Sequence, residues 1–299
     1  MDRYEQFRSA AIDRGIPEDE VGRFAEHLRF AVWAWPGKDG EETVGHMGGL
    51  PRLPVGVEWP GGDEDPLPFI GSVDCAALPR AEGLDLPADG SLLFFLHHEE
   101  DMEEHPSPAY ARVLYVPAGT EAEVAAPPPD HDSRTFSYED TPYLIPERRI
   151  TARVAAELPG WIKDRDVQHE ADTVKHLFDE LKHIDQLCEI VGELWPETDD
   201  PYWSPLRIGG YCRNIGGADD PHSQMTFDSV QNRAAGENLP IEERWRLQRE
   251  EKPRLVREWL PLAQFPTQSE YYFGCFLIRA EDLAAQRFDQ MRSYTMFTE

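Results

Sequence analysis

Basic residues are scarce in this chain. Its 299 residues carry 29 Lys and Arg against 57 Asp and Glu, a formal net charge of −28. Phosphate backbones repel such a surface, and no clustered run of Lys or Arg offsets it, so no nucleic-acid partner is expected. Cysteine is sparse too. Cys75, Cys188, Cys212 and Cys275 stand far apart, with no CxxC step and no histidine at zinc spacing. They read as reduced core thiols of a cytoplasmic protein. No apolar run approaches the ~18 residues that suggest a membrane helix. The start, Met-Asp-Arg-Tyr-Glu-Gln, has no apolar signal core, so neither a membrane span nor a leader is expected. Several catalytic signatures are missing: Gly-x-Ser-x-Gly, a phosphate loop, Gly-x-Gly-x-x-Gly after a strand, and His-Glu-x-x-His. No cofactor, no metal and no catalytic residue is therefore assigned.

What is present is enough for a folded core. Hydrophobic residues make up 40% and aromatic residues 11%, which suits a globular chain. The stretch Gly48-Gly49-Leu50-Pro51-Arg52-Leu53-Pro54-Val55-Gly56-Val57-Glu58-Trp59-Pro60 has too much Gly and Pro for a helix or a central strand. Its Leu, Val and Trp residues demand burial, so it reads as an ordered loop against a core. Alternation predicts strands at 29–35, 91–96, 111–116 and 148–158, with Ile150, Ala152, Val154 and Ala156 on one side of the last. Helical spacing predicts helices at 3–14 and from Pro17 onward. It also predicts one long amphipathic helix over 166–195, striped by Val174, Leu177, Phe178, Leu181, Ile184, Leu187, Val191 and Leu194.

The order GGLPRLPVGVEWP, PLPFIGSVDCAALP, LPADGSLLFFL resembles the YwqG-like family, also known as domain of unknown function 1963. The closing segment 276–289 resembles that family's last strand and helix. Two departures stand out. The family's Gln in the strand after the loop is replaced by Gly71-Ser72, and its Trp-Gly-Asp-x-Gly-like run by Ser269–Gly274. The resemblance implies an α+β fold and no established activity.

One pattern occurs twice. Arg207-Ile208-Gly209-Gly210 echoes His46-Met47-Gly48-Gly49, the Leu-Pro strand near 66–72 returns at 259–265, and the aromatic strand 91–96 returns at 271–278. The expected fold is thus α+β: a mixed, mainly antiparallel sheet in two pseudo-repeats, with N-terminal helices and the long helix between the halves. Residues 1–299 form a single domain, with repeats at about 30–116 and 203–290 and a connector with the long helix at about 117–200.

Glycines permit close approach of backbone or ligand. The candidate ligand- or partner-binding residues are therefore His46, Gly48, Gly49, Arg52, Asp74, Arg207, Gly209 and Gly210, converging on a cleft between halves. The plain alternative is that the glycines only satisfy turn dihedrals. Two histidine-rich stretches carry no metal expectation. Residues 97–105, His-His-Glu-Glu-Asp-Met-Glu-Glu-His, read as a solvated acidic loop, and His169, His176 and His183 as a solvent-facing helix row. The expected function is a non-enzymatic acidic interaction module meeting a basic protein, an immunity or toxin-neutralising role being one version. The alternative is a small-molecule binder or hydrolase using the cleft. Oligomeric state is not set by the sequence.

Overall fold

The computed structural model describes residues 2–38, 40–61, 65–104, 109–138, 141–196, 204–215, 220–233 and 239–298. Asp2 caps the first helix, α1 (Arg3–Asp13), by accepting from Tyr4 N at 2.7 Å. Gly15, at φ 80°, turns the chain out of it. Helix α2 (Glu18–Ala25) follows Pro17 and places Glu18, Asp19 and Glu20 at the positive end of its dipole. Next come β1 (Arg29–Pro36), β2 (Gly45–Met47), β3 (Arg52–Pro54), β4 (Phe69–Asp74) and β5 (Ser91–Leu96). Helix α3 (His98–Glu104), β6 (Ala111–Val116) and β7 (Ala122–Val124) complete the first half. The second half opens with β8 (Arg148–Glu157), α4 (Gly160–Lys163), α5 (Asp172–Glu180), α6 (Ile184–Leu194) and β9 (Leu206–Gly209). It closes with α7 (Pro221–Arg233), α8 (Ile241–Glu258), β10 (Trp259–Pro266), β11 (Tyr272–Arg279), α9 (Ala280–Ala284) and β12 (Arg292–Phe297).

Ten strands form one antiparallel sheet in the order β12-β11-β10-β9-β1-β8-β2-β4-β5-β6, while β3 and β7 pair separately. The α+β class is as expected. At the centre β1 and β8 pair along their length, Arg29 opposite Glu157 and Pro36 opposite Ile150. Each flank carries one register slip, between Phe69 and Gly71 on β4 and between Pro261 and Ala263 on β10.

Side-chain alternation gives the sheet an inner and an outer face. The inner face, with Val32, Ile150, Ile208, Phe94 and Phe276, shares one core with α1, α2 and α6. The sheet curls toward a barrel on this side. Phe94 of β5 meets Phe276 of β11 at 6.2 Å between ring centroids, and Asp101 of α3 accepts from Ser293 and Thr295 of β12. The outer face has two separate covers. The Gly-Pro loop closes over Phe69, Leu93 and Phe95 with Leu53 and Trp59. The α7–α8 hairpin closes over Cys275, Leu277 and Tyr294 with Met225 and Leu255.

The apolar stripe expected on one helix from 166 to 195 lies on two. The chain leaves α5 at Leu181, where ψ is 84°, and restarts after His183. Glu20 of α2 explains the break: its Oε1 accepts His183 N at 2.6 Å and its Oε2 meets His183 Nδ1 at 2.8 Å. A carboxylate from another helix thus sits at the start of α6, where the dipole favours it. Among the described residues no helix is long and apolar enough to cross a membrane.

Candidate functional site

Between the two outer covers lies the outer face of the four central strands. On β8, Ile150, Ala152, Val154 and Ala156 pack on the core, which leaves Arg149, Thr151, Arg153 and Glu157 on the other side. Pairing assembles them into two rows. In one, Gln264 of β10, Arg207 of β9, Trp33 of β1 and Arg153 of β8 lie opposite one another in turn. In the other, Ser72 of β4, His46 of β2 and Arg149 of β8 do the same.

The first row is closed. Trp33 and Arg207 are only 3% and 5% exposed. The Arg207 guanidinium sits 3.8 Å from the Trp33 ring centroid. Glu157, also buried, accepts from Trp33 Nε1 at 2.5 Å and from Tyr211 N at 2.7 Å, and its Oε1 lies 3.9 Å from Arg207 Nη1. Gln264 accepts from Arg213 N at 2.9 Å and donates to Tyr211 O at 3.0 Å. Below it, Arg153 stacks on Trp35 at 4.3 Å.

The second row is open. Arg149 is exposed, as is Arg148 beside it, while His46 and Ser72 are half-buried. His46 Nδ1 donates to Gly48 O at 2.9 Å and its ring leans on Phe69. These rows hold Arg149, Arg153 and Arg207 on three-strand-wide ground, a basic strip that sequence order conceals.

Each row ends in a glycine pair with left-handed backbone: Gly48 and Gly49 at φ 65° and 74°, Gly209 and Gly210 at φ 80° and 75°. A Cβ on Gly210 would stand 2.1 Å from Glu157 Oε2, and one on Gly48 2.7 Å from Ile145 and Pro146. The first pair is covered by residues 145–147, with Gly49 N donating to Ile145 O at 2.8 Å. The second borders a cavity of about 370 Å³, lined by Tyr4, Leu28, Arg29, Phe30, Leu84 and Leu260. Arg29 is held there by the carbonyls of Gly210 and Val256 and stacks on Tyr211.

The eight candidates do not meet at one point. His46 and Arg207 share a face, but three strand spacings, about 14 Å, and an offset of four residues along the strands separate them. Arg52 is exposed and donates to Ala122 O at 2.7 Å. Asp74 is exposed and caps Ala76 N at 2.9 Å. Trp33, Arg149, Glu157 and Gln264 belong to the rows and were not singled out by sequence reasoning. The signal for Arg149 and Glu157 lies in the polar phase of β8, opposite the apolar phase of Ile150, Ala152, Val154 and Ala156.

The acidic stretch 97–105 is not a solvated loop over its described residues. It forms α3, with His97, His98, Glu99 and Asp101 buried; His105 lies outside the described residues. Glu99 accepts from Ser137 N and Tyr138 N, so the segment is an anchored helix, its polar groups taken up by tertiary contacts. His98 lies between Phe136 and Tyr272 with neither ring nitrogen bonded. Burial, with a minor push from His97, lowers its pKa to about 3. Among the described residues no group of three or more His, Cys, Asp or Glu could hold a metal. His169 and His176 are exposed, and His183 pairs with Glu20. Behind the second glycine pair, Cys212 contacts Cys275 and His222, and burial holds its thiol well above the usual range. A thiolate nucleophile is therefore disfavoured there.

A family model described as a domain of unknown function (DUF1963) matches residues 45–295. The chain belongs to the DUF1963 family. No curated protein matches it. The resemblance to YwqG-like proteins, stated on the loop and strand motifs, therefore holds. The DUF1963 match takes in both glycine pairs, His46, Arg149, Glu157 and Arg207. It begins after β1, so Trp33, the ring on which Arg207 rests, lies outside it.

Proposed function

We propose that this DUF1963 protein is a non-enzymatic, cytoplasmic interaction module that binds a basic protein partner, an immunity or toxin-neutralising role being one concrete form. One observation carries the reading. Residues 38–147 hold 23 Asp and Glu against 5 Lys and Arg. Arg52 and Arg80, two of those five, donate to backbone carbonyls and make no ion pair among the described residues. On the β3–β7 flap, exposed Glu58, Glu121 and Glu123 surround Val55, Val57 and Val124, which are 57%, 45% and 55% exposed. Apolar side chains ringed by acids suit a partner with a basic rim and an apolar centre. Charge would set its rate of arrival and the valines its dwell time.

The test is capture of basic proteins at low and high salt, with Glu121→Lys/Glu123→Lys as the comparison. The reading expects capture that weakens as salt rises and about tenfold weaker in the variant. Capture indifferent to salt, or unchanged by the variant, would defeat it.

We also read the chain as two copies of one unit, at about 30–116 and 203–290, packed as halves of one domain. The support is the matched strand order β2-β4-β5-β6 and β9-β10-β11-β12, the two register slips and the two left-handed glycine pairs. In this reading β1 of the first copy pairs with β9 of the second, and β8, from the connector, lies between β1 and β2. A second function, a small-molecule binder or hydrolase, is favoured by the cavity beside Gly209 and Gly210. A thermal-shift screen against metabolites, repeated with Leu84→Trp to fill the cavity, distinguishes it: a ligand lost in the variant supports it.

A further inference from the structure

We propose that the open row, Arg149, His46 and Ser72, is a binding site for one compact oxyanion group, a phosphate or a carboxylate. Three adjacent strands set these side chains in line, about 5 Å per strand. They offer a planar guanidinium fork, an imidazole and a hydroxyl, the donor set that suits a small oxyanion.

Internal use does not account for the arginine. Among the described residues the guanidinium groups of Arg148 and Arg149 make no hydrogen bond and no ion pair, in a chain where acids outnumber bases about two to one. Of the nearby carboxylates, Asp74 caps Ala76 N, Glu41 accepts Lys38 N at 2.9 Å, and the Glu147 side chain lies against Gly49 rather than pairing with Arg149. The closed row supplies the counter-example. There the chain's own carboxylate, Glu157, lies against Arg207. No carboxylate of the described chain takes that role beside Arg149.

The imidazole is oriented for the task. Its Nδ1 proton is held by Gly48 O, a carbonyl fixed by the left-handed turn, which leaves Nε2 as the ligand-side nitrogen. The acidic surroundings limit the ligand. Asp74, two residues beyond Ser72 on β4, flanks the row on the same face, and the 38–147 stretch repels a polyanion. One compact charge fits; a nucleic-acid strand does not.

The experiment is an amide chemical-shift titration of the ¹⁵N-labelled full chain with inorganic phosphate and, separately, acetate. Chloride keeps ionic strength constant. Saturable shifts centred on His46, Ser72 and Arg149 are expected with at least one of the two, and the tighter arm names the anion. Arg149→Glu should weaken binding at least about tenfold, Arg149→Lys less, and Arg112→Glu, on the distant β6, not at all. Melting curves of each variant confirm folding. The proposal is overturned if neither anion gives saturable shifts, if Arg149→Glu binds as well as the parent, or if only heparin binds.

Discussion

The two rows on the outer sheet face are built from the same ingredients and finished differently. In each, a residue two positions before a left-handed glycine pair lies between a central strand and a flanking one: Arg207 in one row, His46 in the other. On the β9 side a buried carboxylate accepts from an indole, and a guanidinium stacks on that indole 3.9 Å from the same carboxylate. On the β2 side the guanidinium of Arg149 meets solvent and the imidazole is bonded on one nitrogen only. A closed polar cluster fixes geometry because removing any member strands a buried group. An open one contributes little to stability and keeps its donors available. The contrast assigns structure to one row and recognition to the other.

The strongest way to break this contrast is to remove one charge from each row. Glu157→Ala removes the carboxylate beside the Arg207 guanidinium and strands two N–H donors, Trp33 Nε1 and Tyr211 N. Loss of about 3–5 kcal/mol is expected in urea unfolding. Arg149→Ala should change stability by less than about 0.5 kcal/mol. If the two variants cost the same, the division into closed and open rows is wrong.

Much of the frame was readable from residue order, and the rows were not, for a reason that these residues make plain. Strands β1, β5, β6 and β8 announce themselves because alternation is local. Their neighbours are not local: His46 meets Arg149 and Trp33 meets Arg207 across long stretches of chain. The doubled glycines were found because positive φ leaves a mark on composition, and all four have it. The break between α5 and α6 leaves no mark in local spacing, because Glu20, far away in sequence, makes it. Helix α3 was misread because acidic composition suggests solvent, whereas Glu99 and Asp101 are taken up by backbone and hydroxyl donors that only the fold delivers.

A smaller effect tests the glycine corners. Gly210→Ala forces a left-handed backbone on an L-residue and drives Cβ into Glu157 and Ala31. Loss of about 2–3 kcal/mol is expected. Gly56→Ala has a similar φ of 82° but nothing within 4 Å of its added Cβ, so about 1 kcal/mol or less is expected. Equal losses would mean that strain alone, without the packed carboxylate, explains the corner. A Gly210→Ala protein as stable as the parent would remove the claim that the closed row depends on close approach.

The smallest effect concerns the contact that holds the two flanks together, where α3 docks on β12. His98 is buried with neither nitrogen bonded, and burial, then His97, lowers its pKa to about 3. The unfolded chain, with an ordinary imidazole, therefore binds a proton that the folded chain refuses as pH falls below about 6.5. Stability is full above that value and declines as pH drops, until the folded pKa is reached. Between pH ~7 and ~5.5 this one group should remove about 1 kcal/mol. His27 and His97, both lowered first by burial, add to the same trend; His222, raised by Cys212 and Asp220 against the pull of burial, opposes it. Comparing the parent with His98→Leu isolates the term, since only the difference in slope belongs to residue 98. The variant should lose less stability over that interval by about the same 1 kcal/mol. Parallel slopes would show that His98 is solvated, and that α3 is held to β12 by Asp101 without a buried imidazole beside it.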